Sequence, residues 1–196
     1  MRIITGSARG IRLATLEGEA TRPTAERVKE AVFSSINFEL EDTEILDLFG
    51  GSGQLGLEAL SRGASHAVFV DSSADAAAII KANAQKTRLF QKCRVLTMDY
   101  EEYIRSAAGK YKFDFIFIDP PYALKLVPDV LRRAADADII ADGGTLICET
   151  DNGEVLTDEE LEQTYEIHKQ ARYGRIHITM LKLKKAPAEA QPLQNP

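Results

Sequence analysis

The sequence predicts a doubly wound α/β fold: a mostly parallel seven-stranded sheet, covered by helices and closed by a C-terminal antiparallel hairpin. Three observations carry this. Apolar runs of strand length alternate with helical segments from Ile45 onward. Runs such as "HAVFVD" and "FDFIFID" are apolar at successive positions, as strands buried on both faces are. A glycine-rich turn, "GGSGQLG", follows the first run, where this fold places its ligand loop.

The elements follow in order. "TRPTAERVKEAVFSSI" reads as a helix with Pro23 near its start and Val28, Val32 and Ile36 on one stripe. "EILDLF" is the first strand, and "LEALSRG" a short helix closed by Gly63. "HAVFVD" is the second strand. "SADAAAIIKANAQKTRL" has the length and alanine content of a helix. "CRVLTMD" is the third strand, "YEEYIRSAAG" a helix ended by Gly109, and "FDFIFID" the fourth strand. "VPDVLRRAADADII" predicts a helix and "GGTLICET" a fifth strand. "TYEIHKQARYGRIHITMLKL" predicts two strands joined at Tyr173-Gly174. The expected organisation is a basic extension with a helix over 1–40, a ligand-binding α/β domain over 41–185 and a disordered tail over 186–196. The tail, "KKAPAEAQPLQNP", has few apolar anchors.

Composition excludes several classes. The chain has 196 residues, enough for one domain with a sizeable core. No apolar run is long enough to cross a bilayer, and the first residues lack an apolar signal core, so a cytoplasmic protein is expected. Cys93 and Cys148 lie far apart in no C-x-x-C pair, the pattern of reduced thiols. His66, His168 and His177 are not grouped with cysteines or carboxylates at ligand spacing, so no metal is expected. The formal net charge of -6 argues against a general nucleic-acid binder. Its distribution says more. Arg2, Arg9 and Arg12 lie between Met1 and Leu16 with no acid among them, and Arg22, Arg27 and Lys29 follow. A basic arm on an acidic body suggests local attraction to phosphate, although a solvated surface has the same pattern.

The glycine loop points to a cofactor. Gly51 and Gly53 let the backbone turn tightly and approach a ligand, and Gly56 lets the helix pack close to the sheet. The helix N-terminus offers free N–H groups to an anion. Asp71 ends the second strand, where a carboxylate accepts hydrogen bonds from both ribose hydroxyls. These features fit a dinucleotide or S-adenosylmethionine. Two details favour the second. Asp47, inside the first strand, would repel a diphosphate and attract the methionine ammonium. Asp99, ending the third strand, can accept from the adenine amino group, or cap the following helix, or both. The cofactor candidates are Asp47, Phe49, Gly51, Gly53, Asp71 and Asp99.

Asp119-Pro120-Pro121-Tyr122 ends the fourth strand. The prolines have no N–H and fixed φ, so the Pro120 carbonyl is held stiffly beside the Asp119 carboxylate. Two acceptors and no donor suit a planar amino group. Such a nitrogen is a poor nucleophile, because its lone pair is delocalised. Two hydrogen bonds drawing on its protons favour the pyramidal form and tighten as positive charge grows. Tyr122 offers a face for stacking the base. Asp119, Pro120 and Tyr122 are the catalytic candidates.

These residues resemble a class I S-adenosylmethionine-dependent methyltransferase with an amino-methylating Asp-Pro-Pro-Tyr motif. More closely, "RIITGSARGIRL", "TRPTAERVKEAVFSSI", "LDLFGGSGQLGLEALSRGA" and "FDFIFIDPPY" resemble the RsmD-type family. That resemblance covers Met1 to about Leu183. It implies the class I methyltransferase fold, S-adenosylmethionine as cofactor, and methylation of a guanine N2 amine in small-subunit ribosomal RNA. It implies that Arg22, Pro23, Thr24 and Arg27 border the active site. With Arg9 and Arg12 of the basic arm, Arg22, Thr24 and Arg27 are the RNA-binding candidates. It also implies a substrate that is a partly or fully assembled subunit, and the protein itself is expected to be a monomer. Gly50 stands where the family usually has Ala, and Asp71 where Glu is common.

Four rivals compete with this reading. An adenine-N6 methyltransferase uses the same corner, but little chain is left for a sequence-reading domain. A protein glutamine methyltransferase usually carries Asn rather than Asp at the first motif position. A NAD-dependent dehydrogenase leaves Asp-Pro-Pro-Tyr unexplained. A non-catalytic ribosome-assembly factor that binds the cofactor would have no need of the intact motif.

Overall fold

Side-chain alternation along the central strands builds two cores, one on each face of a single sheet. The protein's structure, a computed structural model, describes residues 1–16 and 23–184. The strands are β1 (Glu44–Asp47), β2 (His66–Asp71), β3 (Cys93–Thr97), β4 (Phe113–Ile118), β5 (Ile140–Thr150), β6 (Tyr165–Tyr173) and β7 (Ile176–Leu183). They lie in the order β3-β2-β1-β4-β5-β7-β6. β1 to β5 run parallel, and β7 pairs antiparallel with both β5 and β6. The expected seven-stranded, mostly parallel sheet with its terminal hairpin is therefore present.

The helices are α1 (Pro23–Ile36), α2 (Gln54–Ser61), α3 (Ala74–Lys86), α4 (Tyr100–Ala107), α5 (Val127–Asp136) and α6 (Glu159–Thr164). On one face Ile45, Phe69, Phe115, Phe117 and Ile147 pack with α1, α2 and α3. On the other, Leu46, Val68, Ile116, Ile118 and Cys148 pack with α4, α5 and Leu161 of α6. Period-two alternation thus sends neighbours to opposite cores, which is why these strands read as unbroken apolar runs. Among the described residues, no helix is long and apolar enough to cross a membrane.

The N-terminal segment belongs to the first core. Ile3, Ala8 and Leu13 are buried there beside Val28, Val32 and Phe33 of α1. Residues 1–13 fold back on themselves: Leu13 N–H donates to Met1 O at 3.0 Å and Ile3 N–H to Ile11 O at 3.0 Å. Arg22 and the tail over 186–196 lie outside the described residues, as does the side chain of Thr24.

Two expectations need correction. The helix expected over "VPDVLRRAADADII" stops at Asp136, and β5 already begins at Ile140. Asp138 sits at φ 53°, a left-handed conformation that a short polar side chain tolerates and that ends the helix. The second is α6, which the sequence reading leaves out. Its signal lies in "TDEELEQ", where Asp158 accepts from Leu161 N–H as an N-cap at 3.2 Å.

Candidate functional site

The strand order reverses between β1 and β4, so the loops leaving their carboxyl ends diverge and open a crevice. A cavity of about 740 Å³ lies there. Its wall contains Phe49, Gly51, Asp71, Asp99, Asp119, Pro120 and Tyr122 together. Asp47 and Gly53 do not line it.

The glycine loop is built on backbone bonds. Gly50 N–H donates to Val70 O at 2.9 Å, and Gly53 N–H to Gly50 O at 2.7 Å. Gly53, at φ 76°, takes the left-handed turn immediately before α2. A Cβ on Gly56 would stand 2.4 Å from the Phe69 ring, so only glycine lets α2 lie this close to β2. Asp71 is fixed from both sides: Oδ2 accepts from Gly51 N–H and Oδ1 from Ser73 N–H, each at 2.8 Å. Asp99 caps α4 by accepting from Glu101 N–H at 2.8 Å and also faces the cavity. Phe49 and Tyr100 form a tilted aromatic pair, centroids 5.4 Å apart, on the same wall.

Asp47 is 2% exposed and accepts from Gly56 N–H at 3.2 Å. It thus satisfies one of the open N–H groups in the first turn of α2. Burial pushes its carboxyl up to about 7; the Gly56 bond opposes this, and Asp71 adds to it.

The Asp-Pro-Pro-Tyr corner leads into a short helical turn, Tyr122–Leu124, on the cavity wall. Leu124 N–H donates to Pro121 O and Lys125 N–H to Tyr122 O, so the bonds closing the turn leave the Pro120 carbonyl aside. Asp119 has interactions of its own. The Tyr122 hydroxyl donates to Glu149 Oε1. Burial and this bond hold the Tyr122 hydroxyl far above its usual range, so it stays protonated. Burial raises the Glu149 carboxyl, and the Tyr122 bond partly offsets that.

Arg9, Arg12 and Arg27 are exposed and stand outside the cavity wall. The arm that carries Arg9 and Arg12 is anchored to α2 instead. Glu58, fully buried, accepts from Ile4 and Thr5 N–H at 2.8 and 3.0 Å. It also pairs with Arg62 at 2.9 Å and with Lys29 at 3.4 Å. Lys29, 2% exposed, donates to the Arg2 carbonyl at 2.6 Å and reaches the cavity wall. Asn83 of α3 joins the same arm to the glycine loop, donating to Ala14 O at 2.9 Å and Ser52 O at 2.8 Å.

Among the cavity residues that sequence reasoning missed, three are polar groups with a part in the site. Glu149 stands at the carboxyl end of β5 in no motif; the available signal was an acid ending an apolar strand. Gln54 opens α2, and among the described residues its Oε1 is buried without a hydrogen-bond partner. Lys29 reads in the sequence as part of the basic run that attracts phosphate, whereas the fold buries it against Glu58.

A family model described as "Conserved hypothetical protein 95" matches residues 1–182. The Bacillus subtilis protein YlbH, provisionally named an rRNA methyltransferase, is 37% identical over 152 residues, covering 77% of this chain and 83% of that protein. Ribosomal RNA small subunit methyltransferase D of Haemophilus influenzae is 30% identical over 161 residues, covering 82% and 83%. Among solved structures, the Escherichia coli protein yhhF, provisionally named a methyltransferase, superposes with a TM-score of 0.82 at 25% identity. That match covers 94% of this chain and 98% of the other.

Proposed function

The chain belongs to the conserved hypothetical protein 95 family, that of the RsmD-type methyltransferases, and from this premise we propose that it methylates small-subunit ribosomal RNA with S-adenosylmethionine. The finer reading is that the target is the exocyclic N2 amine of one guanine. One observation carries the reading: a single cavity receives the glycine loop, the acidic ends of β2 and β3, and the Asp-Pro-Pro-Tyr corner.

The donor set fits S-adenosylmethionine. Asp71, its oxygens fixed by Gly51 and Ser73, keeps lone pairs for two ribose hydroxyls. Asp99 accepts from an adenine amino group beside Met98 and Leu126, which supply apolar wall. The unpartnered Gln54 oxygen suits a donor-only group such as the methionine ammonium, and buried Asp47 beneath the loop adds negative charge once it loses its proton near pH 7. A diphosphate would find neither acceptable. When bound, the cofactor supplies a methyl group on a positively charged sulfur and leaves as a neutral thioether.

The chain's own residues do the rest. Asp119 and the Pro120 carbonyl accept from the two N–H bonds of the target amine and aim its lone pair into the cavity. As nitrogen gains a methyl group it loses one proton, which passes to the Asp119 carboxylate directly or through water. Tyr122 provides a stacking face worth roughly 1–3 kcal/mol for an unstacked base, against the few kcal/mol that flipping costs. The exposed Arg9, Arg12 and Arg27, with Arg22 and Thr24, contact the RNA backbone around the site. The protein acts in the cytoplasm as a monomer on an assembled or assembling subunit, where other subunit components share the docking.

The test is mass mapping of modified nucleosides in small-subunit ribosomal RNA from cells with and without the gene. Loss of one N2-methylguanosine is expected. Loss of an N6-methyladenosine instead would transfer the corner to the adenine reading, and an unchanged profile would reduce the protein to an assembly factor.

A further inference from the structure

Asp119 and Glu149 form a pair that the strand register creates. β4 and β5 run parallel with Ile118 opposite Cys148, so Asp119 and Glu149 each come one residue beyond that match. Adjacent strands lie about 4.8 Å apart. Ile118 and Cys148 point into the second core, while Phe117 and Ile147 belong to the first and line the cavity. Alternation therefore turns Asp119 and Glu149 the same way, and both line the cavity. The Tyr122 hydroxyl donates to Glu149 Oε1, which fixes that carboxylate; among the described residues its second oxygen has no hydrogen-bond donor.

Three residues that carry acceptors thus line the same cavity: Pro120 with its carbonyl, and Asp119 and Glu149 with their carboxylates. A planar amine has two N–H bonds, which the first two satisfy. The third acceptor needs a third donor next to the amine. Guanine has one, the N1–H adjacent to N2. Purines with an unprotonated N1 put a lone pair there, and a carboxylate repels it.

Resting on the guanine reading above, we propose that Glu149 is a specificity-determining residue that accepts the N1–H of the target base and rejects purines whose N1 is an acceptor. Tyr122 then has two tasks, stacking the base and holding Glu149. The pairing also gives Glu149 a reason to lie in the wall of an anion-rich site. A buried acceptor that goes unmatched by the wrong base costs more than a matched one contributes.

The test uses the full chain with small subunits reconstituted from ribosomal RNA carrying either guanine or 2-aminopurine at the mapped position. 2-Aminopurine keeps the N2 amine and lacks N1–H. The wild-type protein should methylate the guanine substrate about 10-fold or more faster in kcat/KM, the scale of one hydrogen bond to a charged group. Glu149→Gln should close that gap, because an amide can turn its NH2 toward an unprotonated N1. Glu149→Asp should keep the preference at reduced rate. Equal rates on both substrates for the wild-type protein would overturn the assignment without any variant needing to fold. So would a gap that Glu149→Gln leaves unchanged. If Glu149 merely holds Tyr122, Tyr122→Phe and Glu149→Gln would lose equal activity, and the double variant would lose no more. If no guanine is methylated by the wild-type protein, the functional reading fails first, and the two failures are told apart.

Discussion

At the residue scale, Asp119 and Asp47 show how one side-chain type takes two tasks from its surroundings. Asp119 lines the cavity next to Pro120, where the proposed function has it accept from the target amine. Asp119→Ala should cut methyl transfer by roughly 10²-fold or more, as removal of a preorganised polar group does, with S-adenosylmethionine affinity by calorimetry unchanged. Turnover equal to wild type would remove Asp119 from the chemistry. Asp47 is sealed under the loop, and its carboxyl is pushed from 3.8 up to about 7, chiefly by burial. The folded state therefore holds a proton that the unfolded chain releases at lower pH. The stabilising effect is complete below the unfolded value and is lost as pH rises through about 7. Asp47→Asn cannot titrate. Its melting temperature relative to wild type should shift in its favour as pH rises from about 4 to about 7; a constant difference would mean the Asp47 carboxyl keeps its ordinary acidity. Asp71, Asp99 and Asp119 were legible because each closes an apolar strand beside a recognisable turn. The position of Asp47 behind the wall was not, because sequence says which strand holds an acid but not which way its side chain faces.

At the scale of elements, α2 is the hub. Its first turn closes the glycine loop, and its last turn holds the N-terminal arm through Glu58 and Ser61. Ser61 Oγ donates to Thr5 O at 2.6 Å and itself accepts from Ala8 N–H at 3.0 Å. Glu58 is a buried charge satisfied by two cations and two backbone N–H groups. Burial pulls the Lys29 ammonium below its ordinary value, and Glu58 pulls it back up. Glu58→Ala would leave Lys29 buried without its anion, a loss of about 3–5 kcal/mol for broken buried pairs. Urea unfolding should show it, and proteolysis should begin in the arm. An unchanged midpoint with an intact arm would deny the network its role. Strands and helices around this hub were legible because each has its own periodicity. The network was not: Lys29, Glu58 and Arg62 look like exposed helix faces until three segments meet. α6 was hidden for a related reason, since a single short turn with one buried leucine carries too little periodicity to stand out from a polar loop.

At the scale of the whole molecule, charge and anchoring combine. The chain carries a formal charge of -6, so its average field repels RNA. Arg9 and Arg12 nevertheless sit on an arm whose apolar residues are buried in the main core and whose backbone is held by α2. A rigid basic projection on a repelling body favours one docking orientation and penalises the rest, because only the arm gains by approaching phosphate. Screening acts on both effects. Raising salt weakens the arm's attraction and also the body's repulsion, so the net salt slope should be shallower than that of a basic protein neutralising the same number of phosphates. Reversing Arg9 and Arg12 together to Glu should leave the melting temperature near wild type, since both side chains are exposed. Binding to small subunits should weaken, and the plot of log affinity against log salt should flatten, by about one unit for each phosphate no longer neutralised. Affinity and slope both equal to wild type would make the arm a structural strap for α2 and move RNA docking to Arg27 and the rim of the cavity.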